Sequence, residues 1–294
     1  MSGRMVGARN ERYRVLWRYA LLIAVALVFV FPVVFMVVSS LKPDLQLLRD
    51  TGSLRAFLPV GDISLDNYVA AFKRAPIGRF VYNSVLVTSL TVMFGLFLNS
   101  LAGFAFAKLR WRGRAIVLSV VIATLIVPFE TIAVPLLMMV NALPWLGPDG
   151  LTFGWLNSYR VQIVPFIADA LSIFLFVQFF KDLPDEIIEA ARIDGASWWQ
   201  VYLRVIVPLS GPVFATAAIL KFLAMYNMYL WPLMVAQGET YRPVMVGLQY
   251  FFQLNVAWGE VMAYLSLITI PVLVFYLLLQ RAFIESIAAS GVKG

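Results

Sequence analysis

The sequence predicts an all-α fold: a polytopic membrane protein with six transmembrane helices. Its 294 residues are 62% hydrophobic and only 13% charged. The mean hydropathy of +0.85 lies far above that of soluble globular proteins. A helix needs roughly 20 apolar residues to cross the hydrocarbon layer. Six windows meet that requirement and are predicted as spans: 16–41, 80–107, 115–140, 161–180, 209–235 and 261–283.

The first span follows a basic stretch, 4–18, that carries five arginines, and so has the charge pattern of a signal peptide. A cleavable signal has an apolar core of about 7–15 residues and a small-residue cleavage site. The apolar run 16–41 is longer, and no such site follows it. We therefore expect a cytoplasmic segment at 1–15, then an uncleaved first helix and its outer loop at 16–79.

Lys and Arg near the ends of spans set the orientation of a membrane protein. The short loop 108–114 carries four of them and no acid, and the N-terminal stretch 4–18 carries five. The loop 42–79 is the exception, with six basic residues against four acidic ones. The two clear cases predict that both termini and the loop 181–208 are cytoplasmic.

Several functions are disfavoured by composition. The chain has no Cys and no His, which removes disulfides, thiolate and imidazole chemistry and the usual zinc ligands. It has no G-x-x-x-x-G-K-[ST] phosphate loop. The formal charge of +7 follows from the membrane topology and does not indicate nucleic-acid binding. We expect no catalytic site and no metal, and any ATP that drives this protein must bind to another polypeptide.

The loop 181–208 is a charged insert between two long apolar runs. A helix is predicted to start at Pro184, since its missing N–H costs nothing in a first turn. Ile187, Ile188 and Ala191 are predicted to share one face of this helix. Asp194 and Gly195 should end it. Ser197 to Gln200 has the form of a capping box, which predicts a second short helix.

The same loop carries a motif of fixed spacing. Glu189-Ala190-Ala191 is followed after three residues by Gly195, and after nine more residues by Val205-Ile206-Val207-Pro208. It resembles the EAA loop of ABC importer permeases, with Val205 and Val207 where Ile and Leu are usual. The resemblance implies a coupling helix that docks on a cytoplasmic ATPase. The residues that it assigns to ATPase coupling are Glu189, Ala190, Ala191, Asp194, Gly195 and Pro208.

From about Tyr82 to its end, the chain resembles the second permease subunit of carbohydrate importers of the maltose-transporter type. The matching segments, in order, are Tyr82-Asn83-Ser84, Ile126-Val127-Pro128, Val134-Pro135-Leu136, Phe179–Pro184, Pro232-Leu233 and Gly291–Gly294. One departure is Tyr226-Asn227-Met228-Tyr229, where the family commonly has an acid at the third position. By the same similarity, the C-terminal residues Val292, Lys293 and Gly294 are expected to contact the ATPase.

The resemblance implies a type I ABC importer permease fold. It implies a permease domain of five helices at 80–283, containing the coupling loop 181–208, and a cytoplasmic tail at 284–294. The expected partners are a sister permease, an ABC ATPase dimer that holds ATP and Mg, and an extracytoplasmic solute-binding protein. The solute would be a sugar or sugar-like compound, and this chain would bind no cofactor. The expected location is the cytoplasmic (inner) membrane of a bacterium or archaeon.

Polar side chains inside predicted spans usually face a bundle interior or water, because a charge at bilayer depth is costly. The candidates for a substrate path are Glu130, Asp169, Gln178, Tyr226, Asn227 and Tyr229. Packing is an equally open interpretation, and Asp169 in particular is a plausible ion-pair partner of Lys221.

Two other classes of function remain as alternatives. A self-sufficient, ion-coupled secondary transporter would show inverted repeats with broken helices, and no repeat between the halves is evident. An intramembrane enzyme is disfavoured because no Ser–Lys or Asp–Asp pairing is evident within one span.

Overall fold

The computed structural model describes residues 3–147, 150–253 and 256–291. In that part of the chain, four helices are long and apolar enough to cross a membrane: Arg14–Ser40, Ile77–Lys108, Tyr159–Lys181 and Trp258–Gln280. Two bent helix pairs raise the number to six if each is one span: Arg114–Ile126 with Phe129–Ala142, and Trp198–Leu209 with Gly211–Tyr226. The predicted helical membrane fold is confirmed.

The described elements follow one another in this order. The α-helices are Gly3–Ser40, Asp44–Asp50, Asp66–Arg74, Ile77–Lys108, Arg114–Ala123, Phe129–Ala142, Tyr159–Ile163, Ala170–Lys181, Asp185–Ile193, Trp198–Val201, Val207–Leu209, Gly211–Tyr226, Leu230–Val235, Val244–Gly247 and Trp258–Gly291. The 3₁₀ turns are Leu54–Phe57, Thr124–Ile126, Val164–Phe166, Glu239–Tyr241 and Leu248–Phe251, and Tyr202–Ile206 is a π-helical segment. The strands are Pro144–Gly147 and Gly150–Phe153.

The third span, predicted at 115–140, corresponds to two helices, Arg114–Ile126 and Phe129–Ala142. Its two halves are bent by 106°. Pro128 lies at the bend, in extended backbone, as the N-cap of the second half. Proline has no N–H to continue the helical ladder and clashes with the preceding turn, so the helix breaks there.

The fifth span, predicted as 209–235, is also broken. A helix runs only over Gly211–Tyr226, and a short helix Leu230–Val235 follows after a gap. Pro232 supplies no N–H to residue 228, which favours the gap at 227–229. Before Gly211 the chain turns by 80°. Pro212 has no N–H to donate to the carbonyl of residue 208, so the helix does not continue across this turn. Pro208 therefore lies in the short helix Val207–Leu209 and not at the head of the fifth span.

A short hairpin that the sequence reading missed follows the third span. Pro144–Gly147 pairs antiparallel with Gly150–Phe153. The guanidinium of Arg160 lies 4.4 Å from the Trp145 ring on one face of the hairpin. Four-residue strands carry too few side chains to display a clear alternation, which is why the sequence did not reveal them.

The chain divides into two compact units, Met1–Ala75 with Tyr250–Thr269, and Pro76–Gln249 with Ile270–Gly294. In the first unit, the loop after the first span folds around a buried ion pair, Lys42 Nζ to Asp50 Oδ2 at 3.1 Å. Lys42 also donates to the Arg55 carbonyl at 2.6 Å. The hydrogen bond from Lys42 lowers the pKa of the Asp50 carboxyl below its ordinary value.

In the second unit, the helix Ile77–Lys108 packs along the fourth span. Gly103 allows a close approach, since a Cβ there would lie 2.4 Å from the Phe176 Cβ. Around this contact a buried apolar cluster joins the second, fourth and fifth spans to the loop 181–208. Its fully or nearly buried members are Phe104, Phe176, Phe180, Ile188, Val201, Tyr202, Ile206, Val213 and Ala217. The loop is therefore built into the core of this unit.

Candidate functional site

The loop 181–208 forms two helical arms, as predicted. The first arm is the helix Asp185–Ile193, called the loop helix from here on, and the second is Trp198–Leu209. Pro184, at φ −58°, is the N-cap of the loop helix. Asp185 and Glu186 occupy its first turn, where acidic side chains are stabilised by the positive end of the helix dipole.

The inner face of the loop helix is anchored by Ile188, which is 6% exposed and belongs to the buried cluster. Ala191 packs beside it, one turn on. Ile187 was predicted on this face, but its side chain is 43% exposed. Consecutive helical residues are about 100° apart, and here Ile188 and Ala191 face the cluster while Ile187 points away from it.

The outer face of the loop helix carries a second apolar stripe. Ile187, Ala190 and Ile193 recur every three residues and are all exposed, Ile193 by 85%. Glu189 and Asp194 flank the stripe and are also exposed. A contiguous exposed apolar surface with a polar rim is typical of an interaction site.

The two arms meet at Gly195, whose φ is +85°. This left-handed conformation favours glycine, because a Cβ there crowds the neighbouring carbonyl. The Ala196 N–H donates to the Ala191 carbonyl at 3.0 Å and the Gly195 N–H donates to the Arg192 carbonyl at 3.1 Å. These bonds satisfy carbonyls at the end of the loop helix.

The second arm starts with the predicted capping box, which is confirmed. The Ser197 N–H donates to the Gln200 side chain at 2.7 Å, and the Gln200 N–H donates to the Ser197 hydroxyl at 3.3 Å. Arg192 spans the turn: it donates to the Ala196 carbonyl at 2.6 Å and lies 4.8 Å from the Trp198 ring. The hairpin between the arms is thus closed by contacts of its own.

A further anchor, which sequence reasoning missed, ties the loop helix to the second span. Lys108 Nζ donates to the Leu183 carbonyl at 2.7 Å and to Asp185 Oδ1 at 2.5 Å. The Lys108 side chain is only 6% exposed, whereas Asp185 is 73% exposed. The hydrogen bond from Lys108 lowers the pKa of the Asp185 carboxyl below its ordinary value.

A cavity of about 710 Å³ opens between the loop 107–114 and the loop helix. Arg110, Trp111 and Arg114 lie on one side, and Glu189 and Trp198 on the other. One flank of the loop helix therefore faces open space beside a basic loop.

Of the predicted path residues, Asp169 is engaged inside the protein. It accepts a hydrogen bond from Lys221 Nζ at 2.5 Å and one from the Asn99 amide at 3.1 Å. Its other oxygen caps the helix Ala170–Lys181 by accepting from the Ser172 N–H at 2.8 Å. Lys221 also donates to the Phe166 carbonyl at 2.8 Å, at the end of the 3₁₀ turn Val164–Phe166. These contacts support the packing interpretation of Asp169.

Tyr226 is likewise engaged internally. Its ring is 3% exposed and stacks on Phe222 at 5.5 Å. Burial of this kind favours a packing role.

The remaining path candidates are exposed. Glu130 lies in the first turn of Phe129–Ala142, just after the bend in the third span, and Gln178 lies on Ala170–Lys181. Asn227 and Tyr229 lie in the break of the fifth span. The Asn227 amide donates to the Leu223 carbonyl at 2.9 Å, and the Tyr229 hydroxyl accepts from the Gln249 amide.

The predicted ATPase-contact residues Val292, Lys293 and Gly294 lie outside the described residues.

The profile of the family described as "Binding-protein-dependent transport system inner membrane component" matches residues 80–288. The chain belongs to this family. It is therefore a multi-pass membrane component of a transport system, and its relatives are named as permeases, not as ATPases. Among the described residues, no group of three or more His, Cys, Asp or Glu side chains is arranged to hold a metal ion.

Two curated relatives of this permease span almost the whole chain. The arabinooligosaccharides transport system permease protein AraQ of Halalkalibacterium halodurans is 30% identical and covers 92% of this chain and 93% of its own. The lactose transport system permease protein LacG of Rhizobium radiobacter is 30% identical, with 93% and 94% covered.

A solved structure shares the fold of this permease. A chain of a bacterial ABC transporter involved in the import of the acidic polysaccharide alginate superposes with a TM-score of 0.75. It is 22% identical and covers 94% of this chain and 98% of that chain. At that identity the match bears on the fold alone.

Proposed function

We propose that this chain is one of two permease subunits of an ATP-driven importer for a sugar or oligosaccharide. It pairs with a sister permease around the path, receives solute from an extracytoplasmic binding protein, and is driven by a cytoplasmic ATPase dimer. The observation that carries the proposal is the loop helix, in a chain of this family. Its inner face is locked into the core while the exposed stripe Ile187, Ala190 and Ile193 is left for a partner.

The proposed solute class rests on the relatives and on the polar groups of the spans. AraQ and LacG are named for arabinooligosaccharide and lactose transport. Recognition of a sugar needs amide, hydroxyl and carboxylate partners, and the exposed Asn227, Tyr229, Gln178 and Glu130 offer these groups. We propose these four residues as the polar lining that this subunit contributes to the path.

The proposed mechanism converts nucleotide-dependent closure of the ATPases into a movement of the spans. ATP and its Mg bind to the ATPase, and this chain supplies the surface on which the ATPase pushes. The rigid turn at Gly195 and the buried Ile188 make the loop helix move as one body with the core. A ligand shifts such an equilibrium only by its difference in affinity for the two states. The loaded binding protein and ATP must therefore both favour the outward-facing state.

The proposed orientation follows from the basic residues near the span ends. Both termini, the loop 108–114 and the loop 181–208 are on the cytoplasmic side. The hairpin 144–153 and the folded loop 42–76 then lie outside.

The docking surface is tested by co-purification with a tagged ATPase from the complete transporter. Replacing the most exposed member of the stripe, Ile193→Lys, puts a charge where an apolar contact is expected. Loss of an interface hot spot costs about 2 kcal/mol, or roughly thirtyfold in affinity. Glu189→Lys should weaken retention of the ATPase too. The control is Gln237→Lys, at an exposed residue that follows the helix Leu230–Val235 on the proposed outer side of the membrane. This variant should retain the ATPase.

The transport activity is tested with the wild-type complex in proteoliposomes. Sugars presented by the cognate binding protein are screened for stimulation of ATP hydrolysis and for uptake. A stimulating saccharide supports the proposal. If the isolated chain moves solute down an ion gradient without any partner, it is a secondary transporter and the proposal is wrong.

A further inference from the structure

Lys108 is the last residue of the helix Ile77–Lys108, and its largely buried side chain contacts a segment 75 residues later. Its ammonium group has two partners, the Leu183 carbonyl at 2.7 Å and Asp185 at 2.5 Å. Leu183 lies just before the N-cap of the loop helix and Asp185 is its first residue. Hydrogen bonds from a charged donor are about twice as strong as neutral ones. One side chain thus holds the end of the second span against the start of the loop helix.

A second contact joins the other arm of the loop to the same span. The hydroxyl groups of Tyr202 and Ser100 lie 2.7 Å apart, both buried. Ser100 and Lys108 are eight residues apart, which is roughly 12 Å along the helix. Two attachment points at that separation prevent the loop hairpin from pivoting freely about either one.

The second span is well placed to pass on such a movement. It lies close to the fourth span at Gly103, where an added Cβ would lie 2.4 Å from the Phe176 Cβ. Packed interfaces of this kind transmit displacement because they are barely compressible.

We propose that Lys108 is the positioning residue that transfers movement of the loop helix to the second span during transport. The proposal rests on the proposed function above, since the movement originates in the ATPase. It assigns to the short loop after the second span a role in coupling that is separate from ATPase docking. Because Leu183 is held through its backbone carbonyl, the Lys108 contact to it does not depend on the Asp185 carboxylate.

The contacts of Lys108 to Leu183 and to Asp185 differ in their exposure to water. This difference predicts which substitution impairs coupling more. The Lys108 side chain is nearly buried, so removing its amine leaves the Leu183 carbonyl without this donor. Asp185 is 73% exposed and water can replace its contact. Lys108→Met should therefore impair coupling more than Asp185→Asn does.

The experiment measures solute taken up per ATP hydrolysed by the assembled transporter in proteoliposomes. Lys108→Met should retain the ATPase and hydrolyse ATP, but lower this ratio by about tenfold or more, as expected for loss of a charge-assisted hydrogen bond. Lys108→Arg, which keeps the donors, should recover most of the ratio. Arg112→Met is the matched control: it removes the same charge from an exposed position of the same loop and should leave the ratio unchanged.

Lys108→Gln is a second variant for the case in which Lys108→Met does not assemble. Glutamine stays polar, but it lacks the charge and its side chain is one bond shorter. It should lower the ratio in the same direction. A wild-type ratio in an assembled Lys108→Met or Lys108→Gln transporter overturns the inference. The proposed function fails differently, through a wild-type complex that does not retain the ATPase or does not couple ATP to uptake.

Discussion

At the level of single residues, Gly195 combines a φ of +85° with open surroundings. A Cβ at this position would meet no atom within 4 Å. The motif spacing in the sequence indicated a glycine turn here, and the backbone confirms it. Only the backbone conformation, not packing, requires glycine.

Gly195→Ala should therefore destabilise the loop by about 1–2 kcal/mol, the usual cost of the left-handed conformation for a residue with a Cβ. Gly195→Asn should cost less, because asparagine tolerates this conformation. Hydrogen exchange of the amides of the loop helix measures the difference. Equal protection in the alanine variant and the wild type would contradict this explanation.

Asp169 and Lys221 form an ion pair that the sequence suggested but did not determine. Their ion pairing was one of two open interpretations of the sequence, and the structure favours it with a separation of 2.5 Å. The two residues are 52 positions apart, on different spans. No local pattern relates them, so the sequence left the substrate-path interpretation equally open.

Lys221→Met should lower the stability of the transporter because it leaves the Asp169 charge without its partner. We expect about 1–3 kcal/mol, below the range for fully buried pairs, since the Asp169 side chain is 34% exposed. Adding Asp169→Asn should recover part of the loss. The midpoint of thermal unfolding in detergent measures this, and a double variant as unstable as the sum of the single ones would count against pairing.

At the level of elements, the local rules predicted where helices exist better than where they are continuous. The windows around the first, second and sixth spans match helices of the structure. The third and fifth are broken near Pro128 and Pro232. Proline alone does not determine this, since Pro135 and Pro271 lie inside helices that continue. Whether a proline bends or breaks a helix depends on the neighbours that satisfy the freed carbonyls.

The contact of the second and fourth spans gives a prediction with an internal control. Gly103→Ala should destabilise the protein by about 1–3 kcal/mol, the typical cost of overpacking, because its Cβ would lie 2.4 Å from the Phe176 Cβ. Gly78→Ala lies in the first turn of the same helix, where a Cβ meets nothing within 4 Å. It should be neutral or slightly stabilising. Thermal unfolding of the two variants side by side tests this, and equal losses would refute it.

At the level of the whole molecule, the proposed orientation in the membrane rests on the distribution of Lys and Arg near the span ends. The chain contains no cysteine, so single cysteines can be introduced without background. Arg112→Cys should react with a membrane-impermeant thiol reagent only after the cells are permeabilised. Gln237→Cys should react in intact cells. The opposite pattern would reverse the proposed orientation, and with it the side on which the ATPase docks.

The sequence by itself determined the membrane class, the position of the spans, the two-armed loop with its glycine turn and capping box, and the family. The family follows from the resemblance of the spaced motifs, and the other features depend on composition and short-range periodicity, which are local. Only the tertiary structure decided that Ile187 faces outward, that Asp169 binds Lys221, and that Lys108 holds the loop helix to the second span. Those contacts join residues dozens of positions apart or depend on which helix face finds a partner. They arise from packing in three dimensions, which no local pattern encodes.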